Sequence, residues 1–198
     1  MNVLERLIEQ AKNPRGCVGS FMLNIMNTAH ATMTEWALGK VKIREDAVML
    51  DIGCGGGKTI HTLSRMNKNG KLYGIDYSEQ AVEDSIKVNK DDVETEKVNI
   101  RQANVSNIPF PEESFDIITA FQTHYFWPDL ENDVKEIFRV LKHNGYFMIV
   151  AELYKINYHM KAYKTKKEME QLFKKAGFNT IQFHESTNKK WLCVVGGK

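Results

Sequence analysis

Leu50-Asp51-Ile52-Gly53-Cys54-Gly55-Gly56-Gly57 closes a short apolar run, Ala47 to Ile52, and opens a helix-like segment from Lys58 to Met66. An unbroken apolar run of this length reads as a strand buried on both faces, as parallel strands are. Four of the five positions from 53 to 57 are glycine. Glycine lets a backbone approach a ligand where a Cβ would collide, and this loop sits where open α/β sheets bind ligands, at the carboxyl end of a strand.

The alternation continues downstream. Lys71 to Asp76 reads as a second strand, and Ser78 as the cap of a helix running to about Asn89, with Ala81, Val82 and Ile86 inward. Lys97 to Ala103 and Phe115 to Phe121 are further strands. Leu130 to Leu141 carries Val134, Ile137, Phe138 and Leu141 on one helical stripe. Asn144-Gly145 marks a turn before a strand over Tyr146 to Ala151. Thr165 and Glu168 form a capping box for a helix that Gly177 stops after Ala176. Thr180 to His184 and Trp191 to Val195 flank a polar turn with no helix between them, so one of these two strands runs antiparallel. Short joints between strands and helices imply crossover connections and a mostly parallel sheet. Upstream, Val3 to Ala11 and Phe21 to Leu38 read as two helices outside the sheet, punctuated by Pro14 and Gly16.

Size and composition bound the rest. The chain has 198 residues, 42% hydrophobic and 26% charged, which fits one ordinary α/β core. A formal net charge of +2 supplies no global field for nucleic acid or acidic membrane. The first thirteen residues include Glu5, Arg6 and Glu9, which break any apolar leader, and no run is long enough to span a bilayer. The three cysteines, Cys17, Cys54 and Cys193, are widely spaced and form no CxxC pair, so neither a disulfide framework nor a zinc site is expected. A cytoplasmic location suits them.

The loop discriminates between ligand classes. A P-loop needs its first glycine at position 52, which is Ile52. The dinucleotide pattern GxGxxG begun at Gly53 needs a glycine at 58, which is Lys58. Asp51, two residues before the first glycine, would oppose a pyrophosphate and attract a cation. The ligand it favours has a cationic amino end, with a carboxylate for the glycine backbone and helix start. Asp76, at the end of the second strand, can accept hydrogen bonds from ribose hydroxyls.

LDIGCGGG, then YGIDYS, NVSNIPFPEESFD and LKHNGYFMIV, in that order, resemble the successive motifs of class I S-adenosylmethionine-dependent methyltransferases, in particular the small-molecule branch that includes the quinone-biosynthesis C-methyltransferases. The resemblance covers about Ala47 to the C-terminus. It implies a Rossmann-like seven-stranded, mostly parallel sheet with a reversed terminal strand, in three α/β/α layers. It also implies a division into an N-terminal helical lid, 1–46, and a cofactor-binding methyltransferase domain, 47–198. By resemblance the loop Gly53, Cys54, Gly55 to Gly57, with Asp51, holds the methionine end of S-adenosyl-L-methionine, Asp76 holds the ribose, and Ile75 and Tyr77 flank the adenine. Asn104 and Val105 occupy the usual Asp-Ala position beside the adenine. Asn104 is a departure that loses the charge assistance of a carboxylate.

The fourth strand empties into Phe121-Gln122-Thr123-His124-Tyr125-Phe126-Trp127-Pro128, beside the place of the donor methyl. His124 is the candidate general base, with Tyr125 beside it, and aromatics including Phe121 can enclose a sulfonium. In Met22 to Trp36, the residues Met26, His30, Met33 and Trp36 share a helical face, and His30 is the candidate acceptor contact. Tyr154 to Tyr163 could close the other side. The expected reaction is methyl transfer to a small molecule by in-line displacement, releasing S-adenosyl-L-homocysteine, with no metal and no nucleic acid, in a monomer or homodimer. A non-catalytic S-adenosylmethionine-binding protein and a nicotinamide-dependent oxidoreductase are the alternatives.

Overall fold

The structure is a computed structural model that describes residues 10 and 13–198, without the side chains of residues 17 and 24–29. Helix α1, Gly16–Leu38, is followed by β1, Met49–Ile52; α2, Lys58–Met66; β2, Leu72–Asp76; α3, Glu79–Val88; the short α4, Lys90–Glu94; and β3, Val98–Gln102. Then come β4, Phe115–Phe121; a 3₁₀ turn, His124–Phe126; α5, Leu130–Val140; β5, Leu141–Glu152; α6, Leu153–His159; α7, Lys166–Ala176; β6, Thr180–Glu185; and β7, Trp191–Gly197. The seven strands lie in the order β3-β2-β1-β4-β5-β7-β6. The first five are parallel, and β7 runs antiparallel between β5 and β6. The reversed strand is thus the last in sequence, inserted one place in from the edge.

Period-two alternation divides the core into two layers. Leu50, Ile118, Phe147 and Ile149 face α5 and α7, where Val134, Ile137, Leu172 and Phe173 meet them. Met49, Ile117, Met148 and Val150 face the opposite way, toward Met33 and Ala37 of α1, Ile60 and Leu63 of α2 and Val82 of α3. Helix α1 therefore packs into one of the two layers, and Met33 is a core residue.

Side-chain caps set several helix limits. Ser78 Oγ accepts from the Ala81 N–H at the start of α3 and donates to the Pro14 carbonyl at 2.7 Å, tying the entry of α1 to the end of β2. The Thr165–Glu168 capping box is present, and Gly177 ends α7 at φ +110, where a Cβ would stand 2.8 Å from the Phe138 ring.

Some expectations are corrected. Asn144-Gly145 is not a turn ahead of the fifth strand but lies inside a longer one. Asn144 at φ +61 bends the strand where its pairing with β4 slips between Phe115 and Ile117. Leu141 begins that strand and is buried there instead of closing α5. Helix α1 begins five residues before Phe21, and Leu153–His159 is helical. The helix expected over Val3 to Ala11 lies, apart from residue 10, outside the described residues, as do the side chains of Cys17 and Met26. Among the described residues no helix is long and apolar enough to cross a membrane.

Candidate active site

A cavity of about 550 Å³ opens at the carboxyl ends of β1, β2 and β4, between the glycine loop and α1. This is a volume suited to a nucleoside-sized ligand. Beneath it, the Gly53 and Cys54 N–H groups both donate to the Ile75 carbonyl, at 2.8 and 3.1 Å, which folds the loop back over β2. The Gly55 N–H donates to Asp76 Oδ2 at 2.9 Å and the Ser78 N–H to Asp76 Oδ1 at 2.9 Å. Both carboxylate oxygens are thereby fixed, and each keeps a lone pair for a further donor. Burial raises the Asp76 pKa, against the pull of the Ser78, Gly55 and Tyr77 N–H groups.

The glycines of the loop serve different ends. Gly53 (φ +69) faces the cavity, and a Cβ there would stand 2.4 Å from Thr123 Oγ1. Gly55 (φ +52) also lines the cavity, and a Cβ would meet only Leu23 Cδ2 of α1, at 3.6 Å. Gly57 (φ +80) does not line it. A Cβ there would stand 2.8 Å from Ser85 Cα, so this glycine lets α2 start against α3.

Of the residues singled out for the ligand, the cavity wall gathers Gly53, Cys54, Gly55, Asp76, Tyr77, Asn104, Val105 and Phe121, and His30 from α1. Asn104 Oδ1 accepts from the Ser106 N–H at 3.0 Å, which occupies one of its two acceptor sites. Asp51 stays behind the loop. It is 1% exposed and accepts from Thr119 Oγ1 at 2.6 Å. His124 and Tyr125 are not in the wall. Gln122 takes a left-handed turn (φ +58), after which Gln122, Thr123, Phe126 and Trp127 line the cavity, while His124 and Tyr125 turn inward. His124 is 1% exposed, neither ring nitrogen has a hydrogen-bond partner, and burial lowers its pKa to about 3. A ring so placed is neutral and makes no contact with the cavity.

Lys58, Thr59 and Thr62 on the first turns of α2 line the cavity without having been expected there, while Gln122 and Thr123, expected beside the donor methyl, do line it. Helical spacing of 58, 59 and 62 after the loop would have found the first three. Nothing in the sequence marks the left-handed turn at Gln122. Among the described residues no group of three or more His, Cys, Asp or Glu side chains is arranged to hold a metal ion.

Asp51 carries a measurable consequence. Burial, helped by the nearby Asp76 and opposed by the Thr119 hydroxyl, raises its pKa from 3.8 to about 7. The folded protein then holds a proton that the unfolded chain has released, so stability falls as pH rises from about 4 to about 7, by a term on the order of 4 kcal/mol. Denaturant titrations of the ligand-free protein at pH 5 and pH 8 are expected to show roughly 3 kcal/mol of this loss in the parent, because part of it is already gone at pH 5, and a smaller loss in Asp51→Asn. Equal losses in the two proteins would contradict it.

A family model described as a methyltransferase domain matches residues 43–194. The chain is 26% identical over 173 residues to the uncharacterized methyltransferase YdaC of Bacillus subtilis (strain 168), covering 86% of this chain and 92% of that protein. It is 28% identical over 107 residues to a demethylmenaquinone methyltransferase of Lactobacillus johnsonii, covering 54% of this chain and 44% of that one. It thus spans nearly all of the first relative and under half of the second. Among solved structures, a SAM-dependent methyltransferase from Aquifex aeolicus superposes with a TM-score of 0.74 at 19% identity, over 89% of this chain and 97% of the other.

Proposed function

The chain belongs to the methyltransferase-domain family and is an S-adenosylmethionine-dependent enzyme, and we propose that it methylates a small-molecule acceptor, without a metal, in the cavity beneath α1. The observation that carries this reading is the Gly55 N–H bonded to the Asp76 carboxylate in a cavity wall that Gly53 and Cys54 share. The residues fit an amino-acid-linked nucleoside. A Cβ at Gly53 would fill the cradle, and Asp76 retains acceptor capacity for a diol.

Bound there, S-adenosylmethionine would supply an electrophilic methyl group on a cationic sulfur. The chain's own residues bind and orient. Gly53, Cys54 and Gly55 receive the methionine end, and Asp76 accepts from the ribose hydroxyls. Ile75, Tyr77, Asn104 and Val105 flank the adenine. Asp51 and Gly57 act through the loop they support from behind. Phe121, Phe126 and Trp127 form an apolar aromatic wall that favours a cationic centre and excludes water. Helix α1 and the residues just before it act as the lid, with Pro14, Leu23, His30 and Thr34 supplying its inner face. Holding the acceptor in line supplies ~7–11 kcal/mol of barrier lowering in favourable cases.

The test is calorimetric titration with S-adenosylmethionine and S-adenosylhomocysteine, followed by incubation of the protein with donor labelled in its methyl group and a small-metabolite extract, with and without EDTA. Binding and EDTA-resistant label in a small molecule are expected. Absence of binding, or label appearing only in macromolecules, would overturn the reading.

A further inference from the structure

Behind the acceptor side of the cavity runs a chain of polar contacts. Tyr125 Oη donates to Gln122 Oε1 at 3.0 Å, and Gln122 Nε2 donates to Glu152 Oε2 at 3.0 Å. Glu152 returns its own N–H to Gln122 Oε1 at 3.2 Å. Lys155 Nζ, on α6, lies 2.9 Å from Glu152 Oε2 and 3.0 Å from His30 Nε2 of α1. His30 and Gln122 line the cavity, and Tyr125, Glu152 and Lys155 stand behind them. The network thus joins the end of β4, the end of β5, α6 and α1 at one ring.

An ammonium group has hydrogens to give and no lone pair to receive one. Lys155 can only donate to His30, so Nε2 must accept, and the ring's single proton resides on Nδ1. We propose that Lys155 holds His30 as the Nδ1–H tautomer, so that the ring offers the acceptor a hydrogen-bond donor and not a base, and that the acceptor is a compound bound through a carboxylate, phenolate or carbonyl oxygen.

Lys155 is a positioning residue in this arrangement. Its charge polarises the imidazole from behind and strengthens the Nδ1–H as a donor. Glu152 faces the same ring at 3.9 Å and keeps the ammonium in place, and Gln122 holds Glu152. Burial, and then the charge of Lys155, lowers the His30 pKa to about 4, with Glu152 opposing. The ring therefore takes up no proton near neutrality. An amine acceptor would bring donors to a ring whose accepting nitrogen is already engaged.

The inference rests on the methyl-transfer reading, and its test keeps the two apart. Long-range proton–nitrogen spectra of protein labelled in the histidine rings, with the His30 signals assigned from His30→Gln, report tautomer and protonation directly. The parent is expected to show Nδ1–H and no titration from about pH 5.5 to about pH 8. Lys155→Arg should preserve that pattern. Lys155→Met should raise the ring pKa by about one unit or more and release the tautomer. With S-adenosylhomocysteine bound, benzoate should move the Nδ1–H signal and benzylamine should not. A parent ring carrying Nε2–H, or titrating near 6.5, overturns the role of Lys155. Benzylamine moving the signal, or neither probe doing so, overturns the acceptor oxygen. Affinity for S-adenosylhomocysteine, measured on the same samples, fails only if the cofactor reading fails.

Discussion

Gly53→Val is expected to lower the affinity for S-adenosylhomocysteine at least about a hundredfold, about 2.7 kcal/mol. Two costs combine. The residue sits at φ +69, which a β-branched side chain adopts only under strain of roughly 1–2 kcal/mol. Its Cβ would also stand 2.4 Å from Thr123 Oγ1 and 2.8 Å from Thr123 Cβ, so the loop and the end of β4 must part. Thr123 Oγ1 accepts from Trp127 Nε1 at 3.3 Å, and the displacement is passed to the aromatic wall. Gly55→Ala is the control, because its Cβ meets only Leu23 Cδ2 at 3.6 Å and the strain alone remains. Calorimetry on samples whose melting shows them folded decides the matter. A folded Gly53→Val with parental affinity would remove the loop from the ligand.

Asp76→Ala is expected to weaken S-adenosylhomocysteine at least tenfold, about 1.4 kcal/mol. The substitution deprives the Gly55 and Ser78 N–H groups of their acceptor and removes the lone pairs available to the ribose. The affinity change alone would not separate damage to the loop from a lost sugar contact. A 2′-deoxy analogue does so in a double cycle. The parent should discriminate against the analogue, and Asp76→Ala should bind both forms alike. Discrimination that survives the substitution would place the ribose elsewhere.

The order of strands and helices was legible because buried parallel strands are apolar throughout and helices carry a stripe. The Ser78 and Thr165 caps and the Gly177 stop were local signals whose chemistry needs no tertiary partner. Direction was harder to read. Gly57 belongs to the same motif as Gly53, yet it is there for Ser85 of α3, a contact that spacing cannot display. His124 follows the correct strand, but one left-handed residue, Gln122, decides which of the next five side chains reach the cavity. Helix α6 has no side-chain cap and exposes Tyr154 and Tyr158, so neither end nor face announced it. Lys155 matters only because α6 brings it to His30, 125 residues away in sequence.

The cavity wall draws on residues from Asn13 to Pro128 and takes none from β5, β7 or β6. Occupancy should therefore divide the molecule into two flanks, slowing amide exchange along the first and leaving the outer hairpin of β6 and β7 nearly as it was. That hairpin is scaffolding, and its turn at Ser186–Lys190 is where an inserted tag or fused domain would leave ligand capture undisturbed.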